Sequence, residues 1–79
     1  MSRRVGNLIN TAFELCEELK LSFSVSFRNQ STLTFIFTKD ELSVSHSFSI
    51  FEIEEIRNFE FIRKQLIATA YNLLNAWRA

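Results

Sequence analysis

Few side chains in this sequence could act as a nucleophile, a base or a metal ligand. The chain has one cysteine, Cys16, and one histidine, His46, which lie far apart in the sequence. Two such residues cannot make a protein zinc site, and no histidine near Cys16 could lower its thiol pKa. We therefore expect a buried, inert thiol at Cys16 and a half-buried imidazole at His46, with a pH-sensitive contact as the alternative for His46. No metal and no cofactor is expected.

The acidic residues also lack the arrangement of an active site. Glu14, Glu17 and Glu18 fall on the solvent-facing side of a predicted first helix, and the acids of 52–55 lie at a predicted helix start. No base lies beside a nucleophile at a spacing typical of catalysis. The sequence therefore predicts a protein that is not an enzyme.

Length and charge narrow the class of protein further. The 79 residues predict a single domain, 1–79, with a thin core, and the one cysteine excludes an internal disulfide. We expect a homodimer, because contacts between two copies add stability that so thin a core does not supply. Nine Lys and Arg balance nine Asp and Glu, so no net charge attracts nucleic acid or an anionic membrane. No signal peptide or membrane-length apolar run is evident, and the cytoplasm is the expected compartment.

Apolar and hydroxyl residues alternate with a period of two along 21–50, which is typical of strands with one buried and one solvated face. Apolar positions are odd in the first two runs and even in the third. The first loop must therefore hold an odd number of residues and the second an even number, for which 29–31 and 39–40 serve. The predicted pairs are Phe27 with Leu33, Val25 with Phe35, Phe23 with Phe37, Phe37 with Leu42, Phe35 with Val44 and Leu33 with His46.

Helical periodicity flanks the strands, over 3–20 and 59–77. Ser49 and Glu52 match a capping box, which predicts a short extra turn of helix before a break near Asn58. The predicted fold is α+β, in the order α-β-β-β-α: a three-stranded antiparallel meander with both helices on its apolar face. The predicted core stripe of the last helix is Phe59, Ile62, Leu66, Ala70, Leu73 and Trp77.

The solvated face of the predicted sheet carries serine and threonine around one apolar residue, Ile36. Such a face either meets water alone or is covered by a protein partner, for which Ile36 and Thr34 are the candidate contacts. Phe61, Tyr71 and Trp77 are the candidates on the last helix. An inward orientation stays open for Phe61, and a position over the end of the core for Trp77. The outer strands also carry little charge against edge-to-edge pairing, a second reason to expect a homodimer.

The element order and the segment 63–70 (RKQLIATA) resemble double-stranded-RNA-binding domains. In that family lysines at the start of the last helix contact phosphates across a groove, although this sequence lacks the lysine trio and the Gly-Pro-His loop. The resemblance implies a nucleic-acid-binding domain that uses Arg3, Arg4, Arg63 and Lys64. With no net positive charge, we keep this function as the alternative.

A second resemblance concerns the segment 46–49 (HSFS), which leads into the acids of 52–55, in a chain with one glycine and no proline. These features resemble small accessory proteins of bacteriophages and prophages. That resemblance implies a protein without chemistry of its own that binds and modulates a host or phage protein. We therefore expect a non-enzymatic interaction module whose partner is a protein.

Overall fold

A computed structural model describes residues 3–55 and 58–79, which form three helices and one three-stranded sheet. The predicted α+β class and the order α-β-β-β-α are confirmed, with the extra helical turn present as α2. Positions 56 and 57, within the predicted break, lie outside the described residues. α3 begins after Asn58, so the break itself is confirmed. The elements are α1 (Arg3–Leu19), β1 (Ser22–Arg28), β2 (Thr32–Lys39), β3 (Leu42–Ser49), α2 (Ile50–Glu55) and α3 (Phe59–Arg78).

The ends of α1 and α2 follow from local chemistry. Lys20 adopts a positive φ of 59°, and the Leu21 N–H donates to the Cys16 carbonyl at 2.9 Å, which closes α1 as a Schellman motif does. At the start of α2 the Glu52 N–H donates to the Ser49 hydroxyl at 3.4 Å. This is the serine half of the predicted capping box.

The first hairpin has the predicted register. β2 lies between β1 and β3, and Phe23, Val25 and Phe27 pair with the predicted residues of β2. Asn29 and Gln30 both adopt positive φ, as the central residues of a type I′ turn do, and the Ser31 N–H donates to the Arg28 carbonyl at 3.0 Å. The positive φ angles of Asn29 and Gln30 therefore explain how the chain reverses direction within this three-residue loop.

The second hairpin corrects the predicted register by two residues. Lys39 pairs with Leu42, so the loop is Asp40-Glu41 rather than Lys39-Asp40. Parity allows either loop, but Asp40 adopts a φ of 54°, a conformation that aspartate tolerates better than lysine. The face of every residue is unchanged. The observed pairs are Phe37 with Val44, Phe35 with His46 and Leu33 with Phe48, in place of Phe37 with Leu42, Phe35 with Val44 and Leu33 with His46.

The helices cover the apolar face of the sheet, as predicted, and the core lies between the two layers. Leu33, Phe35 and Phe37 of the central strand are fully buried beneath them. α1 contacts α3 and β1, whereas α3 extends over β2 and β3. Arg4 joins three helices, because its guanidinium donates to the Ile53 carbonyl at 3.0 Å and lies 5.3 Å from the centre of the Phe59 ring.

Candidate interaction surfaces

The side chains that could react or bind a metal are not gathered at one site in the described part of the chain. Cys16 is buried in α1, and this burial raises the pKa of its thiol to about 11. His46 is half-buried, with its ring 4.5 Å from that of Phe48. Within 3–55 and 58–79, no three residues of the types His, Cys, Asp and Glu come together as metal ligands would.

The raised pKa of Cys16 predicts an unreactive thiol. The rise from 9.0 to about 11 lowers the thiolate fraction at pH 8 about a hundredfold, because only the deprotonated form attacks. We expect alkylation of the folded chain by iodoacetamide at pH 8 to be at least that much slower than alkylation of the chain in urea. Equal rates in the two states would show that the thiol is accessible and ordinary.

The outer face of the sheet is less exposed than predicted at its centre. Thr34, predicted on the solvated face, is only 8 % exposed, and its hydroxyl lies 2.9 Å from that of Ser47. Its neighbours across the sheet are Ser26 and Ser47, and an alternation pattern does not reveal that one residue of this face is so little exposed. Ile36 is exposed between Ser24 and Ser45 on the flanking strands. This face therefore offers one apolar side chain among hydroxyls and no cluster.

α3 presents a continuous stripe to solvent. Phe61 is 53 % exposed and points away from the core, so of the two orientations left open by the sequence it has the outward one. Lys64, Ala68 and Tyr71 follow it at spacings of three and four residues, which places all four on one face of the helix, and all are exposed. Ala68, whose side chain is small, lies between Lys64 and Tyr71 on this face, and we call its position the notch. We call these four residues the α3 stripe.

Trp77 is exposed rather than part of the buried stripe of α3, and it holds the end of the helix to the second hairpin. Its indole N–H donates to the Asp40 carboxylate at 2.7 Å, and the Lys39 ammonium lies 4.3 Å from the ring centre. Lys39 also donates to the Lys20 carbonyl at 3.0 Å. Trp77 therefore has an intramolecular role, which makes it a weaker candidate for partner contact than Phe61 or Tyr71.

The four basic residues of the alternative function are not all directed at solvent. The Arg63 guanidinium forms an ion pair with Glu60, one turn earlier on α3, and Arg4 bonds to the α2 backbone. Arg3 and Lys64 are exposed. A phosphate-binding surface would have to compete with the contacts of Arg4 and Arg63, which counts against a nucleic-acid interface.

Several aromatic side chains that the sequence assigned to apolar faces are exposed. Phe13 is on the apolar arc of α1 and Phe27 on the apolar side of β1, yet about half of each side chain faces water. Phe51 of α2 is the most exposed of all, at 73 %. Two helices do not extend over the whole width of three strands, so an edge strand retains open apolar surface. Periodicity in the sequence does not show how far the helices extend over the sheet, so it does not predict which apolar residues stay exposed.

An open depression of about 310 Å³ lies between α1 and the start of β1. Its apolar wall comes from both elements, and its rim carries one carboxylate, Glu17. No pattern in the sequence predicts this depression, because its size depends on the distance between α1 and β1. The lining residues are Phe13, Cys16, Glu17, Leu21, Ser22 and Phe23.

No helix in the described part of the chain is both long enough and apolar enough to cross a membrane. Comparisons of the chain with protein-family models, with curated proteins and with solved structures found no match. What the protein does must therefore be inferred from its own surface.

Proposed function

We propose that this chain is a non-enzymatic protein-interaction module of the cytoplasm, which binds a partner protein and associates with itself. The supporting observation is that six of its eleven aromatic residues are 40 % or more exposed. One exposed aromatic residue is ordinary, but aromatic residues are enriched at interfaces and supply much of their binding energy. The six are Phe13, Phe27, Phe51, Phe61, Tyr71 and Trp77.

The α3 stripe is the surface that we assign to the partner protein. Phe61 and Tyr71 are rigid anchors at its two ends, and the notch at Ala68 between them admits a side chain of the partner. Lys64 adds one positive charge at the centre of the stripe. The complementary partner surface is therefore apolar, with an acidic residue opposite Lys64.

The remaining candidates support this choice by comparison. Ile36 lies alone among hydroxyls, Thr34 is bonded to Ser47, and Trp77 is bonded to Asp40. The resemblance to phage and prophage accessory proteins suggests that the partner is a bacterial host protein or another phage protein.

The test compares variants of the α3 stripe with a matched control. The tagged chain would be used to capture proteins from bacterial lysate, and each captured protein would then be purified and titrated against the chain. We expect Phe61→Ala/Tyr71→Ala to weaken that binding at least tenfold, as loss of aromatic hot spots does, and Lys64→Glu to weaken it through charge reversal. Phe51→Ala removes a still more exposed aromatic residue, which lies on α2, and should leave the affinity unchanged.

Two results would contradict the proposal. A partner bound equally by the wild type and the Phe61→Ala/Tyr71→Ala variant would remove the α3 stripe from the interface. Micromolar, salt-sensitive binding of duplex RNA that is lost on neutralising Arg3 and Lys64 would instead favour the nucleic-acid function.

A further inference from the structure

β1 is an edge strand whose single charged residue, Arg28, lies at its last position. It pairs with β2 at seven consecutive positions and, among residues 3–55 and 58–79, has no strand on its other side in the sheet order β1-β2-β3. Natural edge strands carry lysine, proline or a bulge that prevents pairing with a second chain. Residues 22–27 (SFSVSF) contain no charge and no proline, and the continuous register with β2 leaves no bulge. The edge is therefore a regular template for another strand.

The apolar side of β1 is also incompletely covered. Phe23 and Val25 are half-buried and Phe27 is 51 % exposed, whereas Phe35 and Phe37 on the neighbouring strand are fully buried. The helix layer therefore ends short of this edge and leaves room beside it. At the other edge Leu42 is also exposed and Val44 half-buried, but α2 and α3 both pack on β3 and Phe48 is buried there.

A second copy of β1 fits this edge in one register. In a two-fold antiparallel pair, apolar side chains meet on one face only if the paired residue numbers have an even sum. Centring the pair on Val25 meets this condition and pairs all seven residues. Ser24 then lies opposite the partner's Ser26, Phe23 opposite the partner's Phe27, and Ser22 opposite the partner's Arg28.

We propose that two copies of this chain join their β1 strands in this register, with Phe27 of each copy in the depression of the other. Paired side chains lie about 4.5–5.5 Å apart at their Cβ atoms, so the partner's Phe27 reaches Phe23, which lines the depression. The two-fold axis repeats the contact. The partner's Arg28 lies opposite Ser22, on the hydroxyl face of the sheet. The inference rests on the self-association included in the proposed function and names its surface.

The exposed area predicts a weak dimer. A buried phenylalanine covers roughly 150–250 Å², so half-exposed Phe13 and Phe27 offer about 100 Å² each and about 400 Å² over both copies. This apolar contribution is well below the roughly 1,200–2,000 Å² that standard specific complexes bury, so the strand edges must supply much of the interface. We therefore expect dissociation in the micromolar range.

The test is sedimentation equilibrium of the full chain from about 1 to 300 µM, a range that spans weak association. Ser24→Lys/Ser26→Lys places like charges opposite each other at both crossings and should weaken the dimer at least tenfold. Ser24→Glu/Ser26→Lys has the same bulk but pairs each Glu with a Lys of the partner, so this dimer should match or exceed the wild type. Phe27→Ala should also weaken it about tenfold. Ser43→Lys/Ser45→Lys, the matched change on β3, should have no effect.

Each possible outcome of this experiment either supports or overturns the β1 interface. A wild-type dimer weakened by the two-lysine β1 variant and recovered by the mixed-charge variant supports the inference. A dimer unaffected by the β1 variants, or one lost only in the β3 variant, overturns the β1 interface but leaves self-association intact. A wild-type monomer at every concentration overturns both, and leaves partner binding by the α3 stripe to its own test.

Discussion

Replacing Phe35 with alanine is expected to lower the free energy of unfolding by about 3–5 kcal/mol, the range for a fully buried phenylalanine. Phe35 is at the centre of β2, is not exposed at all, and contacts Phe48 edge to face with ring centres 6.0 Å apart. Truncation leaves a cavity that the surrounding strands and helices cannot close. Urea unfolding followed by circular dichroism measures the loss.

Thr34→Ala is the matched control, because Thr34 is the neighbour of Phe35 on the same strand and its side chain points to the opposite face of the sheet. Its side chain is almost as buried, but truncation removes only a methyl group and the hydroxyl that contacts Ser47. We expect a loss of about 1 kcal/mol, typical of one hydrogen bond. Equal losses in the two variants would mean that the core is not on the Phe35 side of the sheet.

The second large effect is expected at Ile53 in α2. Ile53→Ala should cost about 2–4 kcal/mol, since Ile53 is fully buried and is the buried residue of that six-residue helix. The variant keeps the bond from Arg4 to the backbone carbonyl of residue 53, but loss of the buried side chain should favour detachment of α2 from α1. Amide exchange across 50–55 would report the detachment separately from global unfolding.

Phe51→Ala serves as the control for Ile53, two residues away on the same short helix. Phe51 has the larger side chain, yet 73 % of it faces water, so its truncation should cost less than about 0.5 kcal/mol. A loss for Phe51→Ala equal to that for Ile53→Ala would mean that the face of α2 toward the core is assigned wrongly. The pair therefore tests orientation rather than composition.

Local chemistry in the sequence determined the elements and most of their faces. The period of two along 21–50 predicts that Phe35 and Phe37 are buried, and Ser49 predicts the start of α2 through its hydroxyl. These outcomes follow from the spacing of side chains along the chain, so they can be predicted without knowing any contact between distant residues. The odd loop after β1 likewise follows from parity alone.

Tertiary structure decided the rest, because it depends on how far each layer extends. Parity left two registers for β3, and the backbone conformation of Asp40 selected one of them. Thr34 is almost fully buried although it lies on the outer face of the sheet, while Phe13 on α1 and Phe27 at the β1 edge stay half-exposed. Alternation specifies which side of a strand a residue occupies. Only the packed layers determine whether anything covers that side, and here the uncovered part is where we infer that a second copy binds.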